Sequence, residues 1–398
     1  MLDIADDLNR WVVQGRAFAV ATVVGISGSA PRQLGAALAV DAEGTAIGSV
    51  SGGCVEGAVY ELCRQANEDG RPVRERFDHD DEDAFAVGLS CGGVIDVLIT
   101  PIRPPGSRAQ AHRAPGPVDP STVVHAALAA AARGESVALA RVIDGPSSLV
   151  GRALLARPGG ACEGTLGGRP ELDRAVAAEA AVLREAGRTA TVDLGDDGSR
   201  CATALRILVE TTGPAPRMIV FGAVDFASAL VRIGKFLGYH VTVCDARPVF
   251  ATRERFPEAD EIVVDWPHRY LDGTRTDART VLCVLTHDAK FDIPLLERAL
   301  RLPVAYVGAM GSRRTHRERD ARLRAAGLTD RERAALRSPI GLDLGAHTPE
   351  ETALSIAAEI VAGRRGGSGV PLRGGQRPIH HSGPHHPPSG EAHFGALA

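Results

Sequence analysis

Three short stretches within the first hundred residues gather thiols, a guanidinium and bare backbone: Ser27-Gly-Ser-Ala-Pro-Arg32, Ser51-Gly-Gly-Cys-Val-Glu56 and Cys91-Gly-Gly93. Cys54 stands where a glycine loop meets the start of a predicted helix, a position that favours thiolate over thiol. A thiolate there can act as a nucleophile, carry sulfur, or serve with Cys91 as a soft ligand for a metal such as molybdenum. Arg32 adds a guanidinium and Glu56 a carboxylate to the same group of loops. The remaining cysteines, Cys63, Cys162, Cys201, Cys244 and Cys283, read as small space-filling side chains. Seven scattered cysteines without a C-x-x-C pair support neither a disulfide framework nor a zinc ribbon.

Two further turns carry the chemistry of anion binding. Gly222-Ala-Val-Asp-Phe-Ala227 follows an apolar run and opens a helical pattern, and Asp245 ends the next apolar run, with Arg247 just beyond it. That is the setting of a dinucleotide site, in which helix-terminal amides hold pyrophosphate and the acid holds a ribose hydroxyl. The middle glycine of that pattern is replaced by Val224, so a turn kept only for architecture is the competing reading. In Tyr306-Val-Gly-Ala-Met-Gly-Ser-Arg-Arg-Thr-His316, two glycines (Gly308 and Gly311), a hydroxyl (Ser312), two guanidiniums (Arg313 and Arg314) and an imidazole (His316) gather at a helix start. Backbone amides with Arg forks are what phosphate oxygens require. The alternative is a capping Ser312 with solvated arginines. Thr286-His287-Asp288 ends a neighbouring predicted strand and should face the same crevice. Thr348-Pro-Glu-Glu351 reads as a helix cap with a structural role.

The elements that must position these residues follow from periodicity. A helix is expected over Ile4–Gly15, strands over Ala19–Val24, Ala36–Val40 and Ala46–Val50, a helix over 56–70 and a strand over 94–100. Residues 35–48 align with 151–164 at a constant offset, and Gly52-Gly53 and Glu56 then meet Gly167-Gly168 and Glu171, which implies a duplicated unit. The glycines survive in both copies, but Cys54 faces Arg169 and Cys91 faces Cys201 without its glycines. From Arg217, strands alternate with helices: strands at 217–221, 239–244, 261–265, 280–285 and 304–307, helices at 225–237, 293–300, 314–326 and 350–364. The expected fold is α/β: a C-terminal Rossmann-like doubly wound parallel sheet plus an N-terminal α/β domain with an internal duplication. The expected domains are 1–212, with a Pro-rich linker at 103–120 between its half-copies, and 214–373. Residues 374–398, rich in Gly, Pro and His, form an expected disordered tail, solvated or at most loosely metal-binding.

Composition narrows the partners. The 398 residues carry 45 Lys+Arg against 49 Asp+Glu, a net charge of −4, which excludes a nucleic-acid-coating surface. No apolar run is long enough to cross a bilayer and the N-terminus is acidic, so a cytoplasmic protein is expected.

Together these motifs, with Val241-Thr-Val-Cys-Asp-Ala-Arg247 and Pro339-Ile-Gly-Leu-Asp-Leu-Gly345, make the chain similar to the XdhC/CoxI family of accessory proteins for molybdenum hydroxylases. The resemblance implies a cytosolic, dimeric, non-catalytic chaperone. It would bind the molybdenum cofactor, as molybdopterin or its dinucleotide form, protect it during sulfuration, and insert it into the apo-enzyme of a xanthine dehydrogenase or carbon monoxide dehydrogenase type. A cysteine desulfurase is an implied partner; nucleic acid and membrane are not. On this reading Arg32, Cys54, Glu56 and Cys91 serve the metal end, while Gly222, Asp245, Arg247, His287, Asp288, Gly308, Gly311, Ser312, Arg313, Arg314 and His316 serve the phosphates and nucleotide. The alternative is an NAD(P)-dependent oxidoreductase with Asp245 on the ribose and His287 or His316 as acid/base.

Overall fold

A computed structural model describes residues 1–78, 93–104, 119–167, 169–199 and 205–373. They form two compact units, Met1–Pro214 and a second beginning at Ala215.

The first unit is built twice over. Its first half runs α1 (Ala5–Val13), β1 (Phe18–Ser27), β2 (Ala37–Asp41), β3 (Ala46–Gly48), α2 (Glu56–Asp69), β4 (Val73–Phe77) and β5 (Val94–Ile102). Its second runs α3 (Pro120–Ala132), β6 (Val137–Asp144), β7 (Ala153–Ala156), β8 (Cys162–Thr165), α4 (Pro170–Glu185), β9 (Ala190–Leu194) and β10 (Leu205–Thr212). The sheets have the orders β3-β2-β1-β5-β4 and β8-β7-β6-β10-β9, so the duplication read from the sequence is present as one topology repeated. All pairings are antiparallel.

Both faces of each sheet are covered, which explains why β1 reads as an almost continuous apolar run rather than an alternation. Phe18 and Val20 pack with α1, α3 and the facing Leu139 and Leu155. Ala19, Ala21 and Val23 point the other way, onto Val59 and Cys63 of α2. Val142 and Leu154 use α4 in the same manner. Between the two half-copies a buried Arg141 donates to Glu210 at 2.7 Å and to Thr22 at 3.0 Å. Most of the Pro-rich linker lies outside the described residues, but its last residue already begins α3, with Asp119 accepting from the Ser121 amide as the cap.

The second unit contains β11 (Arg217–Phe221), α5 (Asp225–Phe236), β12 (His240–Asp245), β13 (Glu261–Val264), α6 (Pro267–Gly273), β14 (Val281–Val284), α7 (Ala289–Ala299), β15 (Tyr306–Ala309), α8 (Arg313–Ala325), α9 (Asp330–Ala334), β16 (Leu336–Arg337) and α10 (Pro349–Arg365). Its strands are all parallel, in the order β13-β12-β11-β14-β15-β16. One face packs on α5 and α10 through Leu230 and Ile356, the other on α7 and α8 through Leu295 and Leu323. The order reverses between β11 and β14, and the carboxyl ends of those strands border the crevice where ligands bind in this architecture.

Several element boundaries differ from the sequence expectation, and two of these shifts lie beside the crevice. Helix α7 starts at Ala289 rather than Ile293, because Asp288 caps it by accepting from the Lys290 amide at 3.0 Å, and Pro294 lies inside it. Strand β15 runs from Tyr306 to Ala309 rather than from Val304 to Val307. No helix among the described residues is long and apolar enough to cross a membrane.

Candidate functional site

In the first unit the loops after Ser27 and after Gly48 leave the same end of the first sheet, where Gly93 leads into β5. Ser27 pairs with Val94 across β1 and β5, which brings the Gly28–Arg32 loop against Gly93. Gly93 lies so close that a Cβ there would overlap the Ser29 carbonyl, so only glycine fits. Ala30, Val50 and Val55 are buried in the cluster that covers α2, and Cys54 packs half-buried against it. Cys91 and Gly92 lie outside the described residues. Among the described residues there is no group of three or more His, Cys, Asp or Glu side chains that could hold a metal ion.

Glu56, expected as a ligand, turns inward. Its carboxylate accepts from the Ser49 hydroxyl at 2.7 Å, from the amides of Ser51 and Gly52 at 2.9 Å, from the Gly53 amide at 2.7 Å and from the Ser51 hydroxyl. Burial alone would push this carboxyl up, but the Ser51 and Ser49 hydroxyls and the loop amides outweigh it and hold it at about 2. The amides of the Gly52-Gly53 turn are therefore occupied by the chain's own carboxylate, and Glu56 fixes the turn that presents Cys54. The second copy keeps the device but not the residue. Asp173, further into α4, accepts from Thr165 at 2.7 Å and from the Leu166 amide at 2.9 Å, whereas Glu171, the sequence counterpart, pairs with Arg174. Arg32 is likewise directed within the chain, its guanidinium 3.2 Å from Asp3.

The remaining cysteines divide. Burial pushes Cys63 and Cys244 up to about 12 and Cys283 higher still, as suits inert packing thiols. Cys162 departs from that expectation, since it is exposed on β8. Cys201 lies outside the described residues.

In the second unit the turn after β11 is engaged by its own chain. Gly222 donates its amide to the Cys244 carbonyl at 2.9 Å, and Ala223 donates to Asp245 at 2.8 Å. Val224 occupies the position before α5 and packs partly against the core. Arg247 forks onto Asp245, its Nε and a terminal nitrogen 2.9 and 2.8 Å from the carboxylate oxygens. Burial raises the Asp245 carboxyl, but the Arg247 fork and the two backbone donors bring it below its ordinary value.

Across the crevice His287 is exposed, and Asp288 is both the cap of α7 and an ion-pair partner of Lys290 at 2.9 Å. Ser312 caps α8 by accepting from the Thr315 amide at 3.1 Å. Arg313 is exposed, Arg314 reaches Glu318 at 3.6 Å, and His316 is half-buried in the first turn. Gly308 corrects the sequence reading, which placed it in the loop: it lies inside β15, where a Cβ would stand 2.6 Å from both Ile340 and Tyr306, so it makes room for packing.

A network absent from the sequence reading holds this edge together. Arg319 of α8, buried, donates to Asp292 of α7 at 2.8 Å, to the Met310 carbonyl at 2.9 Å and to Ser338 at 3.0 Å, and Asp292 also accepts from Thr286 at the end of β14. Because a trans peptide points its carbonyl and amide in opposite directions, fixing the Met310 carbonyl on Arg319 aims the Gly311 amide away from that network. The signal for it in the sequence is one arginine on a polar helix, indistinguishable from its solvated neighbours.

Comparison with known proteins agrees with this architecture. Residues 218–360 match the model of the XdhC Rossmann domain, and residues 11–78 and 130–195, one segment in each half-copy, match that of the XdhC and CoxI family. The chain is 26% identical over 349 residues to a probable xanthine dehydrogenase subunit of Bacillus subtilis (strain 168), covering 87% of this chain and 93% of that one. It is 24% identical over 353 residues to the molybdenum cofactor insertion chaperone PaoD of Escherichia coli (strain K12), covering 89% and 85%. A solved protein of Bacillus halodurans, described as a xanthine dehydrogenase, superposes with a TM-score of 0.63 at 24% identity over 91% of this chain and 96% of that one. With both compact units matched by models of one kind, the chain belongs to the XdhC and CoxI family.

Proposed function

We propose that this chain is an accessory protein that binds the molybdenum cofactor as cargo, shields it while its sulfur is installed, and inserts it into the apo-enzyme of a molybdenum hydroxylase of the xanthine dehydrogenase or carbon monoxide dehydrogenase type. The observation that carries this is the match over 89% of the chain to a relative named as a molybdenum cofactor insertion chaperone. The donor chemistry fits such a cargo. Helix α8 begins with a capped turn beside two arginines, suited to phosphate oxygens, and Cys54 supplies a thiol in a loop held rigid by Glu56. Residence in the cytoplasm, action as a homodimer and sulfur supply by a cysteine desulfurase belong to the same proposal.

The oxidoreductase reading draws on the strand order, but Val224 stands where that reading requires a glycine, and Asp245 is already bonded by its own chain. Insertion is tested by mixing the cofactor-loaded chain with apo-hydroxylase. Hydroxylase activity should appear faster than with the same amount of free cofactor; equal rates would remove the insertion role.

A further inference from the structure

Asp245 stands where an acid takes a ribose diol in folds of this order, yet its carboxylate is full. It accepts from the Ala223 amide at 2.8 Å, from the Arg247 amide and Nε at 2.9 Å each, and from a terminal nitrogen of Arg247 at 2.8 Å. A carboxylate offers about four acceptor positions, and the chain fills them. Its side chain is 3% exposed, while that of Arg247 is 45% exposed, so a ligand at the end of β12 meets the guanidinium.

That guanidinium is immobilised on two sides. The fork on Asp245 fixes its edge, and the ring of Phe250, 4.5 Å from its Cζ, backs its face. Phe250 is itself held one turn on, its amide donating to the Arg247 carbonyl at 3.1 Å, and Arg255 lies 5.4 Å from the same ring while pairing with Asp225 at the start of α5. Asp288, at the mouth of α7, adds a second carboxylate whose field Arg247 feels. One strand over, register places Val264 beside Asp245. Trp266, two residues beyond, is 39% exposed and tilted against Phe291 at 5.1 Å. This sheet edge therefore offers a planar cation that cannot swing away, flanked by exposed aromatic side chains.

We propose that Arg247, backed by Phe250, is the stacking platform for the planar heterocycle of a nucleotide, and that Asp245 is a positioning residue for the platform and makes no contact with a ribose. Flat guanidinium groups stack on aromatic rings, and an ammonium cannot substitute for them. The proposal rests on the cofactor reading above, to which it adds a seat for the nucleotide part of a dinucleotide-type cargo and a reason why a free ribose diol finds no acceptor.

Calorimetric titration of the full chain with AMP, CMP and ribose 5-phosphate isolates the heterocycle, since the three share the phosphate and the sugar. Both nucleotides should bind about tenfold more tightly than ribose 5-phosphate. Arg247→Lys keeps the charge without the flat face; it should weaken both nucleotides about tenfold and leave ribose 5-phosphate unchanged, with melting scans confirming the fold. Asp245→Asn should reduce the same discrimination while the protein stays folded. Equal affinity of the wild type for all three compounds, or nucleotide binding unchanged by Arg247→Lys, overturns the proposal. Pterin retention measured in parallel separates the two readings: a chain that keeps pterin without base discrimination refutes the platform alone, and one that discriminates bases without keeping pterin refutes the cofactor reading alone.

Discussion

Glu56 shows how a residue can matter to a site without touching a ligand. Its carboxylate takes up the amides of the Gly52-Gly53 turn, so an incoming anion would compete with a group already held by five donors. Because its pKa falls from 4.5 to about 2 on folding, the stability it contributes is complete above 4.5 and is lost as the pH drops through about 2. Chemical unfolding followed across that window should show the wild type losing stability steadily, and Glu56→Gln should flatten this part of the profile. Identical slopes would mean that the carboxylate is not so held. The sequence supplied Glu56 as a polar residue next to Cys54; that it points inward was not readable there, since a carboxylate at a helix start serves equally as a cap or as a ligand.

At the scale of elements, the crevice edge depends on the buried Asp292–Arg319 pair, which joins the end of β14, α7, α8 and the end of β15. Removing one partner of a buried pair leaves the other charge uncompensated, so Asp292→Ala should cost about 3–5 kcal/mol in urea unfolding. A change near zero would show the pair to be dispensable. Periodicity revealed the long elements well, because strands β11, β12 and β14 are apolar runs between turn residues, α5 follows the Gly222 turn and α10 carries the Thr348 capping box. It missed β4, whose middle residues Arg74, Glu75 and Arg76 are exposed on an edge strand, and the short α6 and α9. For α9 the signal was present as the capping box Thr329 to Glu332. Strand β15 runs on to Ala309 instead of ending at Val307, which moves Gly308 from a supposed phosphate loop into the core, an error of two residues with a functional consequence.

For the whole molecule, two levels of organisation legible in the residue pattern recur in the structure: a duplicated α/β unit, whose sheets prove antiparallel, and a parallel Rossmann-like unit. A net charge of −4 coexists with Arg247, Arg255, Arg313 and Arg314 at the carboxyl edge of the second sheet, so positive charge is local where a small anionic ligand is expected. What remained illegible was which polar residues the chain spends on itself, since Asp245, Glu56 and Arg32 all find partners far away in sequence or through turns that only folding creates. Whether the chain carries the molybdenum cofactor is decided by the pterin content of the full chain purified after co-expression with the cofactor pathway. Oxidised-pterin fluorescence is expected to co-elute with the chain in stoichiometric amount, together with molybdenum. Pterin confined to the small-molecule fractions, with none on the chain, would contradict the carrier role.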